Sequence, residues 1–216
     1  MFTLIPEDIE AYCESHSTQP DSVLQELYRE TNLKTVRPRM ISGHSQGLFL
    51  EMISRLIRPK RVLELGTFTA YTTICLAKGL DKNGRIYTIE ENPELSPIIT
   101  KYLKKEKISS KTKLLIGNAL TLIPSLHEYW DIIYIDADKI NYLNYYKMLL
   151  PLLNNNGIIL VDNVLWGGKI SKEIKHSDKD TKAISAFNEY VQNDKGVRNL
   201  LLPLRDGMMM IQKIHQ

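Results

Sequence analysis

The feature that most constrains the fold is a change in the sequence pattern after Pro59, where apolar strands begin to alternate with amphipathic helices. Strand-like apolar segments occur at 61–66, 85–91, 113–119, 130–137 and 157–166. Helical spacing is found at 70–80, 93–107, 142–153 and 180–194, and an antiparallel hairpin is predicted around Asp206-Gly207. Strands that are apolar almost throughout predict a mostly parallel sheet with helices on both faces. The sequence therefore predicts a doubly wound α/β fold.

The first third of the chain has helical spacing instead, in the segments 5–17, 22–32 and 45–57. No linker rich in Pro, Gly or Ser separates these segments from the strands, so we expect them to cover the sheet or the pocket. With 216 residues and 43% hydrophobic residues, one core is the expected number. The predicted organisation is one domain, 1–216, with an N-terminal helical region, 1–58, and a core, 59–216.

Composition excludes some classes of protein. The 28 basic and 25 acidic residues give a formal charge of only +3, which is too weak to indicate a nucleic-acid binder. Cys13 and Cys75 are far apart and form neither a metal nor a redox motif. The chain shows no signal-peptide pattern and no apolar run near the ~20 residues that span a bilayer. We therefore expect a cytoplasmic protein with no membrane partner.

The first strand ends in Glu64-Leu65-Gly66, and the next helix follows closely. In parallel sheets, ligands bind beyond the carboxyl ends of the strands. A dinucleotide site would need two more glycines after Gly66, where this chain has Phe68 and Tyr71. The pattern disfavours a pyrophosphate and hence a dehydrogenase, although an ordinary strand-to-helix turn remains an alternative.

The next two strands end in residues that suit a nucleoside. Glu90 ends the second strand, where a carboxylate accepts hydrogen bonds from both hydroxyls of a ribose. The third ends in Gly117-Asn118-Ala119, small residues that can border an adenine. A nucleoside without a pyrophosphate indicates S-adenosylmethionine (SAM), and the alternative for Glu90 is a solvated carboxylate.

Oxygen donors follow the fourth and fifth strands, at Asp136 and at Asp162-Asn163. With no His or Cys nearby, such a set favours Mg²⁺, Mn²⁺ or Ca²⁺ over zinc. Three protein ligands would leave positions for water and substrate. The alternative is a set of carboxylates that cap loops.

These motifs resemble the metal-dependent O-methyltransferases typified by catechol and caffeoyl-CoA O-methyltransferases, and in particular their small bacterial members. The resemblance runs from about Met40 to the C-terminus and rests on RVLELGTFTAYTT, GNA, YIDADKINYLNYY, ILVDNVLWGG and PLRDGMMM. It implies a Rossmann-like sheet of seven strands in the order 3-2-1-4-5-7-6 with strand seven antiparallel. It also implies SAM, a divalent cation, a small phenolic acceptor and a homodimer.

The resemblance also implies roles for single residues. The metal ligands are Asp136, Asp162 and Asn163, and the catalytic residue is Lys139. The residues implied to bind or border SAM are Met40, Glu64, Gly66, Thr72, Glu90, Ala119, Asp136 and Asp138. The cation would chelate two vicinal oxygens of the acceptor and disfavour the ammonium form of Lys139, which could then act as the base.

The chain departs from the family at Asn118, where many members have an acid, and in the segment 168–180 at the edge of the acceptor pocket. Trp166 and Tyr142 are candidates for lining that pocket, although Tyr142 is more typical of helix packing. His44 is expected to be structural or exposed to solvent.

Two other functions remain open. The first is a tRNA O-methyltransferase, which is supported only by the basic run from Lys101 to Lys113, although this run is expected to be a solvated helix face. The second is a non-catalytic cofactor-binding protein.

Overall fold

The helices and strands follow the predicted alternation in the computed structural model, which describes residues 5–214. Within that range the helices are α1 (Glu7–Ser15), α2 (Ser22–Lys34), α3 (His44–Ile57), α4 (Tyr71–Ala77), α5 (Ser96–Lys105), α6 (Ala119–Leu122), α7 (Tyr142–Leu149) and α8 (Lys179–Asn193). The strands are β1 (Arg61–Leu65), β2 (Arg85–Glu90), β3 (Thr112–Ile116), β4 (Trp130–Ile135), β5 (Leu153–Asp162), β6 (Val197–Leu202) and β7 (Met208–Lys213).

The strands of residues 5–214 form one seven-stranded sheet in the order β3-β2-β1-β4-β5-β7-β6. β2 pairs in parallel with β1 and β3, and β4 pairs in parallel with β5. β7 is antiparallel to both β5 and β6. The predicted fold class is confirmed, including the strand order and the antiparallel hairpin that ends in β7.

The described residues divide into two compact units. The first covers Pro6–Leu126, with α1 to α6 and β1 to β3. The second covers Ile5 and residues 127–214, with α7, α8 and β4 to β7. The description of the chain as one domain stays a prediction.

Burial explains why the central strands are apolar without alternation. Residues 62–65 of β1, 86–90 of β2 and 132–135 of β4 are all buried. Strands buried on both faces gain from apolar side chains at every position, which is the pattern of a parallel sheet covered by helices. β3, which lies at the edge of the sheet, is only partly buried.

The start of β5 differs from the prediction. The sequence predicts a turn at Asn154-Asn155-Asn156-Gly157, but β5 begins at Leu153 and runs through these residues. The register against β4 shifts between the pairs Trp130–Leu153 and Ile132–Ile158, which is an irregularity of the β-bulge type. Asparagines favour turns by local hydrogen bonding, whereas here Asn154 donates to the Asp131 side chain at 2.7 Å.

The helical N-terminal third is confirmed by α1, α2 and α3. α2 is capped by Asp21, which accepts from the N–H groups of Val23 and Leu24, and it buries Leu24 and Leu27. None of the nine residues of α1 is buried. Among residues 5–214, no helix is both long and apolar enough to cross a bilayer.

Gly79 lies two residues after the end of α4 and packs against α3. A Cβ atom at this position would lie 2.2 Å from the carbonyl carbon of Ser54 and 2.4 Å from the backbone nitrogen of Arg55. These are backbone atoms, so no side-chain rotation relieves the overlap. Gly79 therefore permits close packing of the end of α4 on α3.

We predict that Gly79→Ala lowers the free energy of unfolding by about 1–3 kcal/mol, the usual cost of overpacking. The matched control is Gly196→Ala, because the nearest atom to a Cβ there is a side-chain oxygen of Asp194 at 3.2 Å. We expect the control to change stability by less than about 0.5 kcal/mol. Urea unfolding of both variants measures the difference, and equal midpoints would contradict the proposed packing constraint.

Candidate active site

The turn after β1 has an unusual backbone. Gly66 has a φ of 94°, Phe68 of 50° and Ala70 of 74°. The N–H groups of Gly66 and Thr67 both donate to the carbonyl oxygen of Ile89, at 3.0 and 3.2 Å. Positive φ at residues with a side chain costs of order 1–3 kcal/mol and is concentrated at functional sites. The turn is therefore a candidate for holding a ligand, at the position the sequence predicts.

Glu64 is fully buried, and its carboxylate is bound by threonine hydroxyls. Thr72 donates to one oxygen, and the other accepts from Thr73 and from Thr88 at 2.6 Å. These bonds join β1 to β2 and to the first turn of α4. The structure thus brings the predicted site residues Glu64 and Thr72 together, and their contact with the methionine portion of SAM stays a prediction.

Glu90 ends β2 and is 9% exposed. One carboxylate oxygen accepts from the N–H of Phe68 at 2.7 Å and the other from the N–H of Asn92 at 2.8 Å. Burial raises the pKa of Glu90, and these two N–H groups oppose that shift. Each oxygen of a carboxylate can accept two hydrogen bonds, so the carboxylate retains acceptor capacity toward a ligand.

The third strand end is arranged around Asn118. Its side-chain oxygen caps α6 by accepting from the N–H of Leu120 at 3.0 Å, and its amide donates to Glu91 at 3.2 Å. Ala119 is the first residue of α6 and is buried. Gly117 has a φ of 143° and donates to the carbonyl of Glu90 at 2.9 Å, which ties this turn to β2.

Met40 lies on a single 3-10 turn, Pro38–Met40, ahead of α3. Its side chain is 54% exposed, whereas Ile41 and Ser42 directly after it are buried. Its role in binding SAM stays a prediction. The imidazole Nε2 of His44 donates to the carbonyl of Thr18 at 2.6 Å, which agrees with a structural role.

In the second unit, the side chain of Lys139 gathers three oxygen acceptors. Its Nζ lies 2.8 Å from Oδ1 of Asp136, 2.8 Å from Oδ1 of Asn163 and 2.6 Å from the hydroxyl of Tyr142. The Lys139 side chain is only 12% exposed. We call Asp136, Lys139, Tyr142 and Asn163 the Lys139 cluster. It unites the predicted catalytic residue with two of the three predicted metal ligands.

The third predicted ligand, Asp162, lies beside the cluster but is bonded elsewhere. One carboxylate oxygen accepts from the N–H of Asn163 at 2.7 Å and the other from the hydroxyl of Tyr134 at 3.1 Å. Its carbonyl oxygen accepts from the hydroxyl of Tyr142 at 2.9 Å. Asn163 has a φ of 60°, a conformation that Asn tolerates better than most residues.

Asp138 is directed toward α7. Its carboxylate accepts from the hydroxyl of Tyr145 and from the side-chain amide of Asn141. The family resemblance implies that Asp138 borders both cofactor and substrate. Its observed partners stabilise the start of α7, and the border role stays a prediction.

Charges in the Lys139 cluster favour the ammonium form of Lys139. Burial is the largest single effect and disfavours the ammonium, but the interactions with Asp136 and Tyr142 together outweigh burial and raise the pKa of Lys139. Burial also raises the pKa of Tyr142, so its hydroxyl stays neutral. From the sequence, a bound divalent cation is expected to disfavour the ammonium form of Lys139. In the protein without a cation, Asp136 favours that form.

Sequence reasoning named Tyr142 only as a candidate for lining the acceptor pocket, and it missed Asp206. The spacing of Tyr142 is typical of a packing residue, but its hydroxyl binds Lys139 directly. The sequence indicates Asp206 only as a hairpin residue; it is half-buried, its carboxylate accepts from the N–H of Gly167, and it lies 3.5 Å from the amide nitrogen of Asn163. The position of Asp206 in the motif PLRDGMMM was the available signal.

Trp166 lies next to the cluster, with Nζ of Lys139 5.9 Å from its ring centre. Its indole Nε1 is buried and has no hydrogen-bond partner among residues 5–214. Buried donors without partners are uncommon in folded proteins and call for an explanation. A ligand that accepts from this indole is one such explanation.

The donor set of the Lys139 cluster fits a hard divalent cation in its chemistry. The side-chain oxygens of Asp136 and Asn163 converge on Nζ of Lys139, and Asp162 directly precedes Asn163 in the chain. Oxygen-only sets of this kind suit Mg²⁺, Mn²⁺ and Ca²⁺. Among residues 5–214, no group of three or more His, Cys, Asp or Glu side chains is arranged to hold an ion, and the set here contains only two such residues beside Asn163.

The basic run of the first unit is partly neutralised. Lys101 and Lys105 of α5 form ion pairs with Glu30 and Glu26 of α2. Tyr102 donates to Glu30 at 2.6 Å, and the hydrogen bonds from Lys101, Tyr102 and Lys34 lower the pKa of Glu30 to about 2. These lysines connect two helices, which supports the solvated-face interpretation over a patch for RNA.

Comparisons with known proteins agree with this arrangement. A family profile described as O-methyltransferase matches residues 14–214. The chain is 31% identical to the catechol O-methyltransferase of Mycobacterium tuberculosis over 174 residues. This alignment covers 80% of this chain and 79% of that protein. It is 30% identical over 207 residues to caffeoyl-CoA O-methyltransferase 2 of Eucalyptus globulus, covering 91% and 83%. Its fold matches an SAH-bound methyltransferase of Podospora anserina with a TM-score of 0.89, 26% identity and full coverage of both chains.

Proposed function

Because this chain belongs to the O-methyltransferase family, we infer that it is a SAM-dependent O-methyltransferase, and we propose that it methylates a catechol-like acceptor with the help of a divalent cation. The observation that carries the proposal is the Lys139 cluster, in which the Lys139 amine meets two oxygens that could bind a metal, Oδ1 of Asp136 and Oδ1 of Asn163. The similarity of the chain to a catechol O-methyltransferase and to a caffeoyl-CoA O-methyltransferase supports a phenolic acceptor.

For the methyl donor, we propose that Glu90 binds the ribose of SAM. Its two oxygens are fixed by the N–H groups of Phe68 and Asn92, and the carboxylate retains acceptor capacity for a ligand. Gly66 lets a ligand approach the strained turn, and Ala119 borders the adenine. Glu64 and Thr72 would position this turn toward the methionine portion, and Met40 and Asp138 would lie at the edge of the site.

For the acceptor, we propose that Asp136, Asp162 and Asn163 hold the cation. When bound, the cation polarises the acceptor hydroxyl and lowers its pKa. Beside the cation, the Lys139 ammonium would first release a proton to solvent. The neutral amine would then receive the hydroxyl proton at Nζ, and Tyr142 would orient the amine through the hydrogen bond of 2.6 Å. The low exposure of Lys139 limits water around the reacting oxygen.

Two alternatives are not favoured. A tRNA acceptor depends on the lysine run, of which Lys101 and Lys105 are paired with glutamates. A non-catalytic binding protein would not need the Lys139 cluster. The homodimer and the cytoplasmic location are proposals taken from the family resemblance and the sequence; light scattering and localisation of a tagged chain test them.

We predict that the acceptor must carry two neighbouring hydroxyls. The enzyme is incubated with SAM and, separately, with a catechol, with the corresponding phenol that has one hydroxyl and with unmodified tRNA. Mass spectrometry is expected to find a gain of one methyl group on the catechol alone. Methylated tRNA without methylated catechol would overturn the proposed acceptor class while leaving the reaction type in place.

We predict that the reaction requires a divalent ion. Chelation with EDTA followed by buffer exchange is expected to abolish turnover, and added Mg²⁺ or Mn²⁺ to restore it, because the cation acidifies and orients the acceptor. Asn163→Ala is the matched variant: we expect it to lose turnover and to retain SAM affinity within about threefold, since its change is confined to the acceptor side. Full turnover in demetallated enzyme would contradict the proposal.

We predict that Glu90→Gln weakens SAM binding by roughly 1.5–3 kcal/mol, about 10- to 150-fold, the usual value of hydrogen bonds to a charged group. Glu91→Gln is the control, because this adjacent carboxylate is exposed. Calorimetry is expected to give the control an affinity within about twofold of the wild type. Equal affinities of both variants, with unchanged melting temperatures, would rule out the ribose assignment.

A further inference from the structure

Lys139 satisfies its whole hydrogen-bonding capacity within the Lys139 cluster. An ammonium has three N–H donors and no acceptor. The three acceptors are Asp136, Asn163 and Tyr142, at 2.8, 2.8 and 2.6 Å. The ring centres of Tyr142 and Trp166 lie 5.0 and 5.9 Å from Nζ, within cation–π range. The amine therefore sits in a site built for a cation.

Two of these acceptors are the oxygens that the proposed function assigns to a divalent cation. Oδ1 of Asp136 and Oδ1 of Asn163 both lie 2.8 Å from one nitrogen. Mg²⁺ binds oxygens at about 2.1 Å and Ca²⁺ at about 2.3–2.6 Å. An ion held by both oxygens needs the space that Nζ fills, and the two positive charges repel strongly at such a separation.

We propose that Lys139 is an internal counter-ion, which holds Asp136 and Asn163 in place in the metal-free protein and leaves these two oxygens when a divalent cation binds. This inference rests on the proposed metal site. It assigns Lys139 a positioning role in addition to its proposed role in proton transfer. It also explains how a partly buried carboxylate and amide stay ordered before the metal arrives, since a partly buried charge is stabilised by a bound counter-charge.

Asp162 is not involved in this exchange. Its two carboxylate oxygens accept from the N–H of Asn163 and from the hydroxyl of Tyr134, rather than from Lys139. The hydroxyl of Tyr142 donates to the carbonyl of Asp162, so its oxygen remains in place as an acceptor for the amine. The competition is therefore confined to Asp136 and Asn163.

The test is Mn²⁺ binding by the full chain after removal of metal, measured from the electron paramagnetic resonance signal of free Mn²⁺. Lys139→Met removes the ammonium and keeps an unbranched side chain. If the ammonium-bound arrangement makes up about nine-tenths of the metal-free protein, its removal tightens Mn²⁺ binding about tenfold. Lys139→Arg, which keeps a cation at this position, is expected to bind Mn²⁺ less tightly than Lys139→Met.

The variant Lys169→Met tests whether loss of any nearby positive charge raises the Mn²⁺ affinity. The Lys169 amine lies 5.8 Å from the ring centre of Trp166 and pairs with Asp178, so this variant removes a positive charge from the same unit without touching Asp136 or Asn163. We expect an Mn²⁺ affinity within about twofold of the wild type. In the double variant Lys139→Met with Asp136→Asn, the gain should disappear.

The outcomes distinguish the counter-ion from the metal site. Equal Mn²⁺ affinity of wild type and Lys139→Met, with weakened binding in Asp136→Asn, overturns the counter-ion and leaves the proposed metal site intact. No saturable Mn²⁺ binding by wild type or Lys139→Met rejects the metal site and the counter-ion together. A tenfold gain that also appears in Lys169→Met overturns the counter-ion in favour of a general charge effect.

A measurement on the wild type covers the case in which Lys139→Met fails to fold. Nuclear magnetic resonance of ¹⁵N-labelled lysine side chains is expected to show a protected ammonium signal for Lys139 in the demetallated protein. Saturating Mg²⁺ should shift or remove that signal and leave the signal of Lys169 in place. An unchanged Lys139 signal while Mg²⁺ binds would overturn the proposal.

Discussion

The arrangement of the first unit depends on one buried charge. The carboxylate of Glu64 is completely shielded from water, and burying a carboxylate without partners costs several kcal/mol even after relaxation. Hydroxyls of Thr72, Thr73 and Thr88 supply those partners, from α4 and from β2. Because the start of α4 has to reach back to the end of β1, the connecting turn is short and adopts positive φ at Phe68 and Ala70. The strain in this turn and the bond from Phe68 to Glu90 follow from the same requirement.

The second unit uses a buried charge of the opposite sign. Lys139 is held by Asp136, Asn163 and Tyr142, which come from the end of β4, the end of β5 and the first residue of α7. Most of the residues that bind these two charges lie at strand ends and helix starts. Parallel strands bring such ends to the same edge, so short loops are enough to assemble each cluster.

The alternation of strands and helices and the identity of the residues at the strand ends could be predicted from local patterns, whereas the strand order was implied by the family resemblance. Near-continuous apolar runs predicted the parallel strands, and the residue after each run gave Glu64, Glu90, Asp136, Asp162 and Asn163. The partners of these residues could not be predicted in the same way. Tyr142 has the spacing of an ordinary packing residue, and only its hydroxyl direction joins it to Lys139. The bulge that lets β5 run through Asn154 depends on its pairing with β4, which no local pattern contains.

The position of Lys139 also explains why a lysine suits this cluster. A site for a divalent cation needs oxygens that converge, yet convergent oxygens that include a carboxylate repel one another in a poorly solvated place. A tethered ammonium resolves this conflict, since it neutralises the carboxylate through one short bond and donates two more bonds to neutral oxygens. A guanidinium would hold the same oxygens in a rigid planar fork, whereas the ammonium is a compact charge on a flexible stem. In the proposed exchange, the flexible stem would let the charge leave Asp136 and stay close to the hydroxyl of Tyr142. Under the proposed function, the residue that stabilises the oxygens of the cluster would thus also be the one that receives the proton of the substrate hydroxyl.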